Sequence, residues 1–548
     1  MRKSLAFLLV FLLVLTLGAH NEIVYAIDDL LDKDVEGEID IMLWSGDGSF
    51  IENIGHLDLA PEDLGGQNQA TVYAVAKEFN KIYPNIKINV YAKTEGPDDE
   101  HGSWYQHREN FKNEHGRWPA IYASTDLAGD VGRGLVADLS IFSDHPMYQS
   151  FNKSIMDMMN YYGMQAGLPQ YLLPWGIYIN KELAENNNID VPNYDWTIDE
   201  YVRFIRQAPG GDKFYGAMDA NFSFFNTGTT TINAQLANYS GEGPFVDINS
   251  DEVRHLISTY FSDMAKHSIW PIADAGMLPD GYGDSFGWWS HNAFTNNKVL
   301  TNDGDPWMMG DAAHPNVDHD LRAKSNDWDI YPRPSTPYQG NTVGVVLDPL
   351  AIHNFCIDDG NPECSEEELE KIKIAYAFAA FWIGDTRAWK ARAEQQFLDN
   401  GVLKSAMNDS FPLVTGEEFD KQMEIWYSAD IHQRFKDETK MPGFHYVLEL
   451  WEQGQVWDVS DKAYPMYHAD EGGNRKLNLY EFNSTNTPEM QPVIGLSDAR
   501  RLDPQFAEKV LAKLPEWNEL ANKRFEEGYK ELQAALKEFY GYTDEDFK

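Results

Sequence analysis

Three stretches of the chain place tryptophans beside side chains that hydrogen-bond: Trp44-Ser45-Gly46-Asp47-Gly48, the run Trp104 to Trp118 with His101, His107 and Arg108, and Ser124-Thr125-Asp126. Indole rings offer flat faces for stacking, while carboxylates and guanidinium groups make charge-assisted hydrogen bonds, so such loops predict a non-covalent binding surface. Metal chemistry has weaker support. His101 with His107, and Asp303 with Asp305, lack the third and fourth ligands of a recognised site and read as solvated loop residues; the acidic Asp358-Asp359-Gly360 turn gives no stronger indication of calcium. Cys356 and Cys364 stand eight apart in a stretch rich in Gly, Pro and Asp, with no histidine pair nearby for zinc. A local disulfide or two unpaired thiols are the alternatives.

The elements that must carry these loops follow from periodicity. Ile39 to Trp44 alternates as a strand, and a helix from about Asn68 to Ile82 puts Val72, Val75, Ala76, Phe79 and Ile82 on one face before Pro84 stops it. Ile86, Ile88 and Val90 alternate as a second strand, and Ala120-Ile121-Tyr122 as a third. Strand, helix, strand is the start of a largely parallel sheet, whose ligands bind beyond the strands' carboxyl ends, which is where the three stretches fall. Gly167-Leu-Pro-Gln-Tyr-Leu-Leu-Pro-Trp-Gly-Ile-Tyr-Ile-Asn180 has the Pro and Gly density of a crossover into a second lobe. Helices are expected at about Ile198 to Gln207 and Asp251 to His267, whereas Gly281 to Gly344, rich in Gly, Pro, Asn, Asp and Trp, reads as loops and strands. Ser365 to Glu368 is a capping box for a helix to about Ile383. Asp503-Pro504 starts a further helix, and Trp517 to Tyr540 reads as another, long one.

Arg2 and Lys3, the apolar run Leu5 to Leu17 and the small residues around Val24-Tyr25-Ala26 together read as a cleavable secretory signal over residues 1–26. The run is too short for a spanning helix, which needs about 20 apolar residues. No cysteine follows it, so the lipid attachment of an exported lipoprotein is missing. The remaining chain is too long for one core, and the 43% hydrophobic content of the full sequence excludes disorder. A formal charge of −43 repels nucleic acid and anionic membranes. Such an excess also marks adaptation to salt, and composition leaves that reading and a generic acidic surface equally open.

Six segments in order resemble the family 1 extracellular solute-binding proteins of sugar ABC transporters. They are Gly167-Leu-Pro followed by Pro174 to Lys181, Trp196 to Tyr201, Phe294 to Val299, Asp305-Pro-Trp307, Trp328 to Pro334, and Ala351-Ile-His-Asn354 before a helix ending Ala-Phe-Trp382. The similarity covers most of Ile39 to about Pro412. It implies an α/β, two-lobed periplasmic-binding-protein fold with interlobe hinge crossovers, here with a helical C-terminal part. Mapped on this chain, lobe 1 takes residues 27–166 and 347–410, lobe 2 takes 174–331 and 411–548, and the hinges are 167–173 and 332–346. Extra loops near Phe50 to Gln67 and Glu95 to Trp118, and the long C-terminal part, depart from the family.

The resemblance implies no reaction and no cofactor: two lobes close over an oligosaccharide and deliver it to the permease subunits of an ABC importer. Sugars present flat C–H faces and paired hydroxyls. Trp44, Asp47, Trp104, Asp126, Trp175, Trp288, Trp289 and Trp307 have that chemistry and become the expected ligand contacts, Trp307 and Asp126 first because they match positions where the family contacts sugar. Trp196, Trp382 and Trp389 lie in helical contexts and are assigned to packing. A monomer in the periplasm is expected, since a receptor without a lipid anchor would diffuse away from a cell with one membrane. The competing reading is an exported glycoside hydrolase, which needs two carboxylates flanking the cleft, and no motif picks out such a pair. A receptor for peptides or another polar solute is the third.

Overall fold

Apolar alternation on both faces makes the first strand, β1 (Gly37–Gly46), a central one: Ile39, Ile41, Met42 and Leu43 are all buried. The computed structural model describes residues 26–46, 48–94, 104–170, 173–221, 244–245, 247–288, 290–302, 327–358, 364–399, 401–407, 410–429, 432–458, 462–463, 465 and 499–548. The expected signal segment, residues 1–25 of it, lies outside them. Among the described residues no helix is long and apolar enough to cross a membrane.

The first sheet has six strands. Beside β1 lie β3 (Ile86–Thr94) and β4 (Ile121–Ala123), both parallel to it, with Ile41 opposite Val90 on one side and Ile121 on the other. β2 (Phe50–Ile51) edges β3, while β12 (Pro349–Ile352) and β5 (Leu168–Pro169) continue the sheet beyond β4, giving the order β2-β3-β1-β4-β12-β5. Helix α1 (Gln67–Ile82) buries Val72, Val75, Ala76 and Phe79 and ends before Pro84.

The second sheet has the order β8-β9-β7-β10, from β7 (Ile177–Asn180), β8 (Tyr215–Ala217), β9 (Val299–Asn302) and β10 (Trp328–Tyr331). Here β8 and β9 are parallel and β7 is antiparallel to both its neighbours. A third, small sheet joins β6 (Pro174–Trp175), β11 (Val343–Val345) and β13 (Val456–Asp458), with Trp175 opposite Gly344 and Gly344 opposite Trp457.

Capping chemistry starts the helices where the sequence places it. Thr197 and Glu200 cap α4 (Ile198–Ile205) reciprocally, Ser250 caps α5 (Asp251–Lys266), and Ser365 and Glu368 form the box of α6 (Glu366–Gly384). Three segments differ from expectation, one being the short helix Ser290–Thr295 inside the stretch 281–344 expected as loops and strands. The polar run after β3 is no loop over its whole length, because Trp104–His115 forms α2 with Phe111 buried. The two C-terminal helices expected at Pro504 and Trp517 are one 36-residue helix, α8 (Pro504–Phe539), continuous through Pro515. Proline has no N–H for the carbonyl four residues back, a defect that normally kinks a helix. Here that carbonyl, on Leu511, accepts instead from Arg254 Nη1 of α5 at 3.3 Å.

Candidate functional site

Strand direction decides which edges of the two sheets face the crossings. β4 ends at Ala123 opposite Leu350, so the start of β12 lies at the carboxyl end of the parallel strands. β9 ends at Asn302 opposite Tyr178, which puts the start of β7, and Trp175 just before it, at the carboxyl end of β8 and β9. Pro169 ends β5 and Tyr331 ends β10 at these edges, and the chain re-enters them at Ile177 of β7 and Pro349 of β12, with β6 and β11 of the small sheet in between. Ligands of open α/β sheets bind at such edges.

On the first edge, the turn after β4 is held from beneath. Arg108 on α2 pairs with Asp130, and both are almost fully buried. Ser124 Oγ donates to Asp130 Oδ2 at 2.6 Å, Arg133 Nη1 lies 3.4 Å from Asp130 Oδ1, and the Arg108 guanidinium sits 4.0 Å over the Tyr122 ring. Burial works against the Arg108 charge, but Asp130 and Tyr122 outweigh it and hold its pKa above the ordinary value. This buried knot fixes Ser124-Thr125-Asp126. The Asp126 carboxylate accepts from Gly129 N at 2.8 Å and so caps α3 (Leu127–Gly132), with Arg133 at 3.7 Å.

Between the lobes, the crossings are bonded to one another. Gln170 N donates to Asp348 O at 2.8 Å, Ser410 Oγ to Gln170 O at 3.2 Å, and Leu347 N to Asp458 Oδ1 at 3.3 Å. Lys462 forms an ion pair with Asp348, and its carbonyl accepts from Leu127 N at 2.9 Å, next to Asp126. Lys462 and Asp348 thus place an ion pair where the first edge meets the hinge. The Gln170 side chain is buried beside them with neither amide atom hydrogen-bonded to protein.

On the second edge, Trp270 N donates to Met218 O, just past β8, and its ring stacks on Trp288 with centroids 5.7 Å apart at 29°. Phe286 meets Trp288 edge-on at 5.8 Å. Gly283 also approaches the Trp288 ring closely, leaving no room for a Cβ, and Trp288 keeps 39% of its surface exposed. Close by, Asp219 receives Arg501 Nη1 at 2.8 and 3.0 Å in a buried pair.

Of the eight residues expected to contact a ligand, Asp126, Trp175 and Trp288 lie on these edges and the hinge. Trp44 stands near the end of β1 and Trp104 opens α2. Asp47, Trp289 and Trp307 lie outside the described residues, as do His101, Asp303 and Asp305. His107 and Arg108, read as loop residues, are buried on α2. Trp270, Asp348 and Lys462 were missed: Trp270 has no local signal, and the other two meet from 114 residues apart. Cys356 and Cys364 are disulfide-bonded. Among the described residues no three metal-binding side chains cluster.

Carboxyls raised by burial serve as structural acceptors. Burial pushes Asp329 up to about 6, against N–H bonds from Gly443, Ile330 and Phe444 and the nearby Lys181, and its oxygens cap α7 (Pro442–Glu452). Asp138, also raised by burial, accepts from Ser140 N and Gln165 N. Glu252, raised likewise, accepts from Thr336 Oγ1 at 2.8 Å.

No family model matches the chain, and no curated protein matches its sequence. Among solved structures, a family 1 extracellular solute-binding protein from Alicyclobacillus acidocaldarius is similar with a TM-score of 0.51 at 12% identity, over 90% of this chain and 100% of that one. The chain has the two-lobed solute-binding-protein fold. A de novo designed cysteine esterase matches to the same degree, with a TM-score of 0.51 at 12% identity over 90% of this chain and 99% of its own. An ABC substrate-binding protein from Listeria monocytogenes in complex with cycloalternan is similar at a TM-score of 0.48 and 15% identity, over 93% of this chain and 100% of that one.

Proposed function

We propose that the chain is an exported receptor that captures an oligosaccharide between two lobes and hands it to the permease of an ABC importer, catalysing no reaction. The observation that carries this reading is the meeting of two carboxyl edges at the hinge, with the Trp270–Trp288 stack on one edge and the Asp348–Lys462 pair beside Asp126 on the other. Stacking faces and charged hydrogen-bond partners are what a sugar's two kinds of surface need. Lobe 1 is 27–166 with 347–410, lobe 2 is 174–331 with 411–548, and 167–173 with 332–346 are the hinges. Trp44, Asp47, Trp104, Asp126, Trp175, Trp288, Trp289 and Trp307 are the ligand contacts. The protein acts as a monomer in the periplasm, exported by its signal segment.

The designed esterase raises an enzyme reading on the same fold, through a cysteine nucleophile. Both cysteines of this chain are bonded to each other, so neither is a thiolate for such chemistry. A thermal-shift screen over xylo-, manno-, cello- and malto-oligosaccharides tests the receptor reading, because a ligand of the native state raises Tm. The expected result is a rise with one series and intact sugar recovered afterwards. Cleaved sugar, or no shift with any of them, refutes it, and finding the protein chiefly in culture medium refutes the periplasmic location.

A further inference from the structure

Helix α8 touches both lobes, independently of the hinge crossings. Its first half belongs to the second lobe: Arg501, just before it, makes the buried pair with Asp219, Arg254 donates to Leu511 O, and Asn518 and Asn522 accept from Ile248 N and Phe245 N at 2.9 and 2.8 Å. Its second half lies on the first lobe. Gln533 Nε2 donates to Tyr162 Oη at 2.7 Å, Tyr540 Oη donates to Val136 O at 2.8 Å, and a Cβ on Gly134 would fall 2.7 Å from the Phe539 ring. Tyr162 also meets the Phe547 ring edge-on at 4.9 Å. Tyr529 marks the change of lobe: its ring stacks on Phe245 of the second lobe at 4.9 Å and meets Tyr162 of the first edge-on at 6.0 Å.

A helix is stiff along its axis, so two lobes fastened to opposite halves of one helix cannot rotate against each other without breaking contacts at one end. The first-lobe contacts combine the neutral hydrogen bonds and ring edges of Gln533, Tyr540 and Phe547 with packing on α3, so Tyr162 and Tyr540 are points at which substitution loosens them without touching the buried Arg501–Asp219 pair of the second lobe. We propose that α8 is an interlobe strap that restrains lobe rotation and is fastened to the first lobe at Tyr162 and Tyr540. Its effect on solute affinity rests on the receptor reading above; the restraint itself does not.

The test therefore uses the full chain without ligand. The native cysteines are disulfide-bonded, so single cysteines at exposed Asp144 of the first lobe and Arg203 of the second accept spin labels specifically. Interlobe distances are compared in the parent, in Tyr162→Asn with Tyr540→Phe, and in Glu519→Gln, an exposed change on the same helix. Asparagine suits position 162 because φ there is 54°, a left-handed conformation it tolerates. The expected result is one narrow distance in the parent and in Glu519→Gln, and a broadened, shifted distribution in the double variant. Superimposable distributions in all three, or a parent already broad, overturn the strap. If the double variant does not fold, Tyr540→Phe with Gln533→Leu carries the same comparison with the ring packing intact. A sugar found by the thermal screen should bind the double variant with an apparent Kd changed about fivefold, the size of a typical coupling. Failure of that screen leaves the distance result standing.

Discussion

The continuity of α8 through Pro515 gives a quantitative prediction. Arg254 Nη1 donates to Leu511 O, the carbonyl left without a helical partner by the proline, and to Asn249 Oδ1 at 2.8 Å. A hydrogen bond from a charged donor contributes about 1.5–3 kcal/mol net. Arg254→Met should therefore cost at least that much in the natural chain, since both bonds are lost. In Pro515→Ala, the backbone N–H restored at position 515 reaches Leu511 O by the ordinary i→i−4 bond, so the same replacement loses only the Asn249 bond. The Asn249 contribution cancels across the cycle, leaving a coupling of about 1–2 kcal/mol between positions 254 and 515. Pro515→Ala alone should stabilise, because the Arg254 bond to Leu511 O replaces the missing N–H but not the steric cost of the proline ring. Urea midpoints of the four proteins, read at a common m-value, supply the free energies. Additivity within about 0.3 kcal/mol would show that Arg254 does not substitute for the missing N–H, and the account of the unbroken helix would fail.

Asp329 carries a pH dependence: its folded pKa of about 6 stands above the 3.8 of the exposed group, so the native state binds the proton more tightly. Its contribution is complete below about pH 4 and lost as pH rises through about 6, a change of about 3 kcal/mol. Asp329→Asn should flatten that part of the stability profile measured by urea unfolding; an unaltered profile counts against the assignment. Arg108→Met leaves Asp130 buried without its main counter-charge and should cost about 3–5 kcal/mol, read as a lowered urea midpoint, with a loss under about 1 kcal/mol contradicting the knot beneath the Asp126 turn. Trp307→Ala should weaken the sugar found by the screen by about 1–3 kcal/mol in calorimetric titration, and an unchanged Kd removes Trp307 from the site.

The local signals that were legible are those whose physics is local. Thr197 with Glu200 and Ser365 with Glu368 satisfy backbone groups within one turn, so their helices start where the residue types say. The alternation in β1 and β3 was readable for the same reason. Helix α2 was not, because its buried face includes His107 and Arg108 beside Phe111, and a polar face turned inward has no hydrophobic period. The break expected between the helices at Pro504 and Trp517 does not form, because the side chain that bonds the freed Leu511 carbonyl comes from position 254.

At the site, the sequence by itself determined which residue types stand after the strands: tryptophans and carboxylates that stack and hydrogen-bond. Their surroundings were decided only by the tertiary structure. Trp270 gains Trp288 across a loop, and Asp348 finds Lys462 from a later crossing. The lobe contacts of α8 arise in the same way, from residues far apart in the chain. Capping and periodicity act over a few residues, where bonded geometry places the partners. The hinge network and the strap join segments a hundred or more residues apart, and only the packing of both sheets sets which of them meet.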